Sequence, residues 1–309
     1  MATISTSGAE ESGRRGYVFG LASYAIWGFL PLYFHVLSSV DPFELVAHRV
    51  LWSLIFLAVL IPVARQTRDF MTAIRQPAIL RALAASACMI GINWVVYVWA
   101  VATGHVVAAS LGYFLNPLVS VLLGVVVLGE RLSRGQVAAL SLAGIGVAVL
   151  GWGEMSTLWI SLTLAISFAL YGLIRKVTAV PAMTGLSLET LVLMPIALIV
   201  VALALSNGSS GLYQPPGTVA LLVGSGIITS VPLILFAAAA RLLPMTVLGL
   251  LQYVAPTIQF IVGTVFLGEH LSPGRWASFM LIWVGLAIFV FDTLNRARRA
   301  RMPLPAQTD

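Results

Sequence analysis

Two distant stretches of the chain repeat each other in register. Pro117 and Pro256 are 139 residues apart, and so are Glu130 and Glu269. Gly124/Gly263, Leu128/Leu267, Leu132/Leu271, Ser133/Ser272, Gly135/Gly274 and Gly146/Gly285 hold the same offset. Each copy is a long apolar run with polar residues and a proline at its middle, closed by a Gly-Glu pair and followed by a second apolar run. A register kept over that length makes the chain an internal duplication.

The runs themselves decide the fold class. They are roughly 18 to 25 residues long, enough for a helix to cross a hydrocarbon core of about 30 Å. Only 9% of the 309 residues are charged and 60% are hydrophobic, too few polar side chains to cover a water-facing surface. Alternating segments of about 10 residues, which a membrane β-barrel needs, are absent. The expectation is an all-α membrane protein of about ten transmembrane helices in contact with the lipid bilayer. The net charge of +6 comes from loop arginines and implies no nucleic acid partner. Cys88 is the single cysteine, which excludes an internal disulfide and a thiolate metal site. His35, His105 and His270 are scattered without metal-ligand spacing, so no metal and no cofactor is expected.

The spans are expected at roughly 16–38, 44–64, 78–103, 105–128, 133–152, 156–177, 185–206, 217–240, 244–267 and 272–292. Residues 1–15 form a polar, disordered cytoplasmic tail, and 293–309 a basic one. Of the 17 lysines and arginines, all but Arg49 and Arg275 fall on one side of this arrangement. The positive-inside rule then places both termini in the cytoplasm and the spans in the cell (inner) membrane. The halves, 16–152 and 156–292, have five spans each, so they insert upside down relative to each other. Their first helices also match, with Ser23/Ser167, Ala25/Ala169 and Gly28/Gly172 in register and Tyr24/Phe168 and Trp27/Tyr171 aromatic at equivalent places. Two inverted five-helix repeats are the signature of alternating-access carriers, which bind their load near the midplane between the halves.

Several strings carry a closer resemblance. They are Ala47-His48-Arg49 with Trp52, Asn93-Trp94 with Tyr97 and Trp99, and Ser110 to Phe114 before Asn116-Pro117. Tyr171-Gly172-Leu173 before Arg175-Lys176, Leu188-Glu189-Thr190, and Gln252-Tyr253 before Pro256-Thr257 complete them. With these the chain resembles the EamA domains of the drug/metabolite transporter superfamily, and within it the RarD group, the chloramphenicol-sensitive protein type. The resemblance covers about residues 16–292. It implies a permease that exports a metabolite or drug. Thr103 stands where the group's pattern leads one to expect Asn.

Polar groups inside a span are satisfied by the protein or face a water-filled cavity. Tyr113 and Asn116 lie at the middle of the fourth expected helix, Gln252 and Tyr253 at the middle of the ninth. Pro117 and Pro256 kink these helices and free backbone carbonyls one turn earlier, near residues 113 and 252. Asn93 and Tyr97 share one face of the third helix. Trp27 and Tyr171 are deep aromatic residues at symmetric positions. All of these are candidate substrate-binding residues, set against plain packing across a seam. Arg49, preceded by His48, is the one basic residue inside a span. It is either an outer gate or anion-recognising charge, or an anchor reaching the headgroups or the Glu44 carboxylate. Glu189 is a candidate proton carrier or a partner of Arg175 or Lys176. Glu130 and Glu269 are expected to cap the first amides of the helix that follows each. Gly20, Gly28, Gly124, Gly144, Gly146, Gly224 and Gly226 are expected to let helices approach closely.

These features point to a secondary carrier for a small-molecule substrate, exporting it; uptake or exchange is the alternative. No phosphate-binding G-x-x-x-x-G-K-[ST] string is present, so the energy comes from gradients. An intramembrane enzyme would need a clustered catalytic set, which is missing. A receptor or accessory subunit has no need of inverted halves. A GxxxG-like seam would let two copies form a homodimer.

Overall fold

A computed structural model describes residues 3–103, 105–151, 158–262, 265 and 273–301. Among them every regular element is helical. The helices are α1 Thr3–Val36, α2 Pro42–Val63, α3 Thr67–Ala73, α4 Pro77–Ala102, α5 Val106–Leu128 and α6 Arg134–Gly151. After residues 152–157, which lie outside the described residues, come α7 Leu158–Val177, α8 Ala182–Ser206, α9 Pro216–Leu242, α10 Met245–Leu251, α11 Val254–Ile261 and α12 Pro273–Arg301. A 3-10 turn, Gly211–Tyr213, precedes α9.

Seven of these helices (α1, α2, α4, α5, α7, α8 and α9) are long and apolar enough to cross a bilayer. α6 and α12 contain the shorter apolar stretches Arg134–Val149 and Met280–Asp292. Large apolar side chains such as Val59, Val126, Ile196 and Phe291 are exposed, as a lipid-facing surface requires.

The helix expected over 244–267 is broken. α10 stops at Leu251, and α11 begins at Val254. The proline explains the break: Pro256 has no N–H to give the Gln252 carbonyl, which instead accepts from Ala255 at 3.2 Å. That carbonyl is therefore taken. Pro256 becomes the third residue of α11, a first-turn position where no donor is needed. Its counterpart Pro117 lies inside the unbroken α5. Residues 263–264 and 266–267 at the end of the expected helix, and Glu269 and His270 beyond it, lie outside the described residues.

Three other boundaries differ from expectation. α1 starts at Thr3 and runs through the segment expected to be disordered, where Arg15 pairs with Glu11 one turn back at 2.7 Å. α12 continues to Arg301 through residues expected to form a tail. α3 occupies the loop after α2.

Packing links the two halves of the sequence. α1 packs on α9 and α11, α7 on α4 and α5, α2 on α8, and α6 on α12. One apolar cluster, with Tyr24, Leu111, Phe236, Leu248 and Tyr253 fully buried, joins them. The glycines do not contribute alike. A Cβ on Gly226 would overlap the Trp52 carbonyl of α2, and one on Gly28 would overlap Ile258. Around Gly144 the space is open, so the expected close approach does not occur there. Gly226→Ala should lower stability by about 1–3 kcal/mol through overpacking. Gly144→Ala should leave it unchanged or raise it by up to about 1 kcal/mol. Thermal unfolding of the two variants in detergent checks the contrast; equal shifts would contradict this packing.

Candidate functional site

A cavity of about 380 Å³ lies between the helices, in the size range of small-ligand sites. α1 lines it with Tyr24, Trp27 and Phe34, α2 with Arg49, and α4 with Asn93, Trp94 and Tyr97. Tyr113 and Asn116 come from α5, Phe168 from α7, Gln252 from the break after α10, and Pro256 and Gln259 from α11. Seven expected substrate-binding or gating residues thus meet at one place: Trp27, Arg49, Asn93, Tyr97, Tyr113, Asn116 and Gln252. The exposed His35 marks the mouth, at the end of the molecule where α1 stops.

Each polar wall residue has a distinct set of partners. Asn93 donates to the Leu164 carbonyl at 2.8 Å and to Ser167 Oγ at 3.1 Å. Asn116, with its amide nitrogen facing the carbonyls, donates to Leu164 at 3.3 Å and Gly112 at 3.2 Å. Both asparagines therefore tie their helices to the α7 backbone. Gln252 donates to Ser120 Oγ at 3.2 Å, and its Oε1 has no partner among the described residues. Gln259 donates to the Trp27 carbonyl at 3.1 Å. The Tyr97 and Tyr113 rings meet edge to face at 5.5 Å, and no hydrogen bond to either hydroxyl occurs among the described residues. Arg49 Nε donates to Thr229 Oγ1 at 2.9 Å, and the guanidinium lies over the rings of Phe34 at 5.2 Å and Trp94 at 4.9 Å. Arg49 makes no ion pair with Glu44 among the described residues, so the Glu44 arm of the anchor reading is not met.

An aromatic group closes the cavity away from the mouth. Trp27, Phe168 and Phe236 pack against one another at centroid distances of 5.3–5.6 Å. Tyr171 stacks on Phe236 behind them at 5.7 Å and is fully buried, so it does not line the cavity although its counterpart Trp27 does. Sequence reasoning passed over Tyr24, Phe34, Phe168, Gln259 and Thr229. The register of Tyr24 with Phe168 was a usable signal; nothing in the sequence marks the others.

Residues 14–152 match the EamA-like transporter family. A protein RarD of Escherichia coli is 44% identical over 93% of this chain and 97% of its own. An uncharacterized transporter of Pseudomonas aeruginosa is 42% identical over 94% and 98%. The chain belongs to the EamA-like transporter family, in its RarD group. A crystal structure sharing 20% identity matches with a TM-score of 0.68 over 88% of this chain and 96% of that one, a likeness of fold. The protein is accordingly a multi-pass membrane transporter of the drug/metabolite superfamily.

The remaining candidates of this RarD-group transporter lie outside the cavity. His48 Nε2 is 3.3 Å from Glu44 Oε1. That carboxylate also accepts from Ser210 Oγ at 2.6 Å and the Gly211 amide at 2.9 and 3.0 Å, so it fastens the turn before α9 to α2. Tyr253 is buried in the seam with α5, its hydroxyl donating to the Phe114 carbonyl at 3.4 Å. Glu189 is buried beside Arg175, 3.7 Å away, and accepts from Ser86 Oγ at 2.6 Å. Pro117 donates nothing, and a Cβ on Gly249 would press on its carbonyl, so α5 and α10 touch there through backbone. After α4 the Thr103 hydroxyl donates to the Trp99 carbonyl at 2.8 Å and lies 2.8 Å from His105 Nδ1.

Glu130 corrects an expectation and accounts for the first Gly-Glu pair. Gly129 takes the left-handed conformation, φ 67°, that ends α5 and turns the next residue toward α10. There the Glu130 carboxylate accepts from the Met245 and Thr246 amides at 2.6 and 2.8 Å, capping the opposite half's helix. Gly124 leaves the room, since a Cβ there would meet Glu130 Oε2. The helix that follows, α6, is capped by its own box: Ser133 Oγ accepts from the Gln136 amide at 3.0 Å and Gln136 Oε1 from the Ser133 amide at 2.9 Å. Glu130→Ala should therefore cost about 1.5–3 kcal/mol, the range for a hydrogen bond to a charged group. The exposed Arg131→Ala should stay within about 0.5 kcal/mol. Thermal unfolding distinguishes the pair.

Proposed function

We propose that this protein is a secondary carrier that binds a small solute in the central cavity and exports it across the inner membrane by alternating access. The observation that carries the reading is the cavity itself, walled by helices from both copies of the repeat and filled in at one end by aromatic side chains. A site with one open and one closed end is what alternating access requires at any instant.

The inverted-repeat reading has two supports. First, partners exchange between the halves: Ser23 of α1 donates to the Pro232 carbonyl of α9 at 2.8 Å, while Ser167 of α7 accepts from Asn93 of α4. Pro232 and Asn93 are themselves 139 residues apart. Second, equivalent segments differ in state, since α5 is continuous and α10–α11 is broken. Two copies of one motif in different conformations are the expected condition of a carrier at rest on one side, because the cycle exchanges their roles.

In this reading the cavity mouth faces outward and both termini lie in the cytoplasm. The closed inner end holds the Glu130 cap on α10 and the buried Arg175–Glu189 pair. Export then begins from the opposite state, in which the inner end has opened and released these contacts.

Flux into proteoliposomes tests the carrier, screened over aromatic metabolites, amino acids and chloramphenicol with and without a pH gradient. Tyr113→Ala and Gln252→Ala should each lower protein-dependent flux by about tenfold or more, the loss of one buried polar contact, in protein that unfolds at the wild-type temperature. Undiminished flux in both variants would remove the cavity from the transport path. Glu189→Gln should lower flux equally with and without the gradient, as a closing contact would. Loss of the gradient-driven part alone would instead make Glu189 a proton carrier.

A further inference from the structure

We propose that the solute is an organic anion with one carboxylate on an apolar or aromatic body, and that Arg49 is its counter-ion. The proposal rests on the carrier reading above and deepens it to a substrate class.

Among the described residues the cavity wall holds one permanent charge: Arg49 is the only Lys or Arg in the lining, and it contains no Asp or Glu. None of the ion pairs found among the described residues includes Arg49. A guanidinium taken from water into this setting is incompletely compensated until an anion joins it.

Its orientation is set by the protein. The Nε–H is spent on Thr229, and the faces of Phe34 and Trp94 hold the plane of the group. The two Nη groups make no hydrogen bond among the described residues. They form the parallel donor fork that matches a carboxylate in two-point fashion. Tyr97 and Tyr113 lie within electrostatic reach of Arg49, and their hydroxyls are further donors without partners among the described residues.

Charge arithmetic sorts the alternatives. A cation would meet Arg49 with no carboxylate to oppose it. A zwitterion would leave its ammonium to neutral acceptors alone. A dianion would carry a second charge with no second permanent cation among the described lining residues; the one protonatable side chain there, His35, is exposed at the mouth. The monoanion is the species the wall completes. Trp27, Trp94, Phe34 and Phe168 then give its body ring faces and edges to pack on, within a space of about 380 Å³.

The test uses full-length protein in detergent and four probes of one skeleton: 3-phenylpropanoate, its neutral amide, phenylalanine and 2-phenylethylamine. Quenching of tryptophan fluorescence reads binding, because Trp27 and Trp94 line the cavity. Wild-type protein should bind the carboxylate at least about tenfold more tightly than the other three, the size of one charge-assisted hydrogen bond. Arg49→Gln should remove that preference, leaving amide binding within about threefold, and Arg49→Lys should retain part of it. The wild-type comparison stands even if a variant fails to fold. Equal binding of the four probes, preference for the amine or the zwitterion, or no saturable binding of the carboxylate overturns the proposal. Counterflow of labelled 3-phenylpropanoate in proteoliposomes separates the two levels. Binding of the carboxylate without movement supports the anion site and refutes the carrier; movement of neutral or cationic solutes alone supports the carrier and refutes the anion site.

Discussion

Hydrocarbon offers no hydrogen-bond partner, and that constraint organises this molecule. A polar side chain in a span must find its partner within the protein or keep contact with water. The hydroxyl of Ser23 donates to the Pro232 carbonyl, that of Ser161 to Ala108, and the Asn93 amide to Leu164. Each of these bonds crosses from the N-terminal half of the sequence to the C-terminal half. The same demand that permits polar residues in the membrane therefore also fastens the halves together. The Arg49 fork, the Tyr97 and Tyr113 hydroxyls and Gln252 Oε1 have no such partner among the described residues and belong to the cavity wall, whereas the unpartnered atoms of Trp52, Tyr171, Arg175, Glu189 and Ser230 lie away from it.

The carboxylates follow the same logic at the ends of the spans. Glu44 and Glu130 both belong to the first copy, and both hold backbone amides of the second: Gly211 in one case, Met245 and Thr246 in the other. An ionised carboxylate facing exposed amides is a strong acceptor, and at a helix start it also meets the positive end of the dipole. Such a contact is firm when made yet local enough to be released as a unit.

Much of this was legible beforehand because it follows from local chemistry. The depth of Tyr113, Asn116 and Gln252 along their helices came from counting residues, and all three line the cavity. The misplacements share one cause. In a soluble helix the apolar stripe marks the inward face, but lipid is as apolar as a protein core, so a span that is apolar all round has no marked face. Tyr171 and Trp27 occupy equivalent register positions, yet one is buried beneath Phe236 and the other lines the cavity. Tyr253 follows Gln252 directly and points into a seam instead. Glu130 was assigned to the nearest helix in sequence, whereas its partners lie 115 and 116 residues away. Pro117 and Pro256 occupy equivalent register positions, and only one accompanies a broken helix.

The amino-acid sequence alone determined that this chain is helical, spans a membrane several times and places a few polar residues deep in its spans. Each of those follows from run length, composition and the backbone's need to satisfy itself, which are properties of short segments. The tertiary structure decided which partner each deep residue meets, which proline breaks its helix, and that Arg49 faces a cavity rather than Glu44. Those outcomes depend on contacts between residues as far apart as Trp27 and Gln259, 232 positions along the chain, which no local pattern encodes.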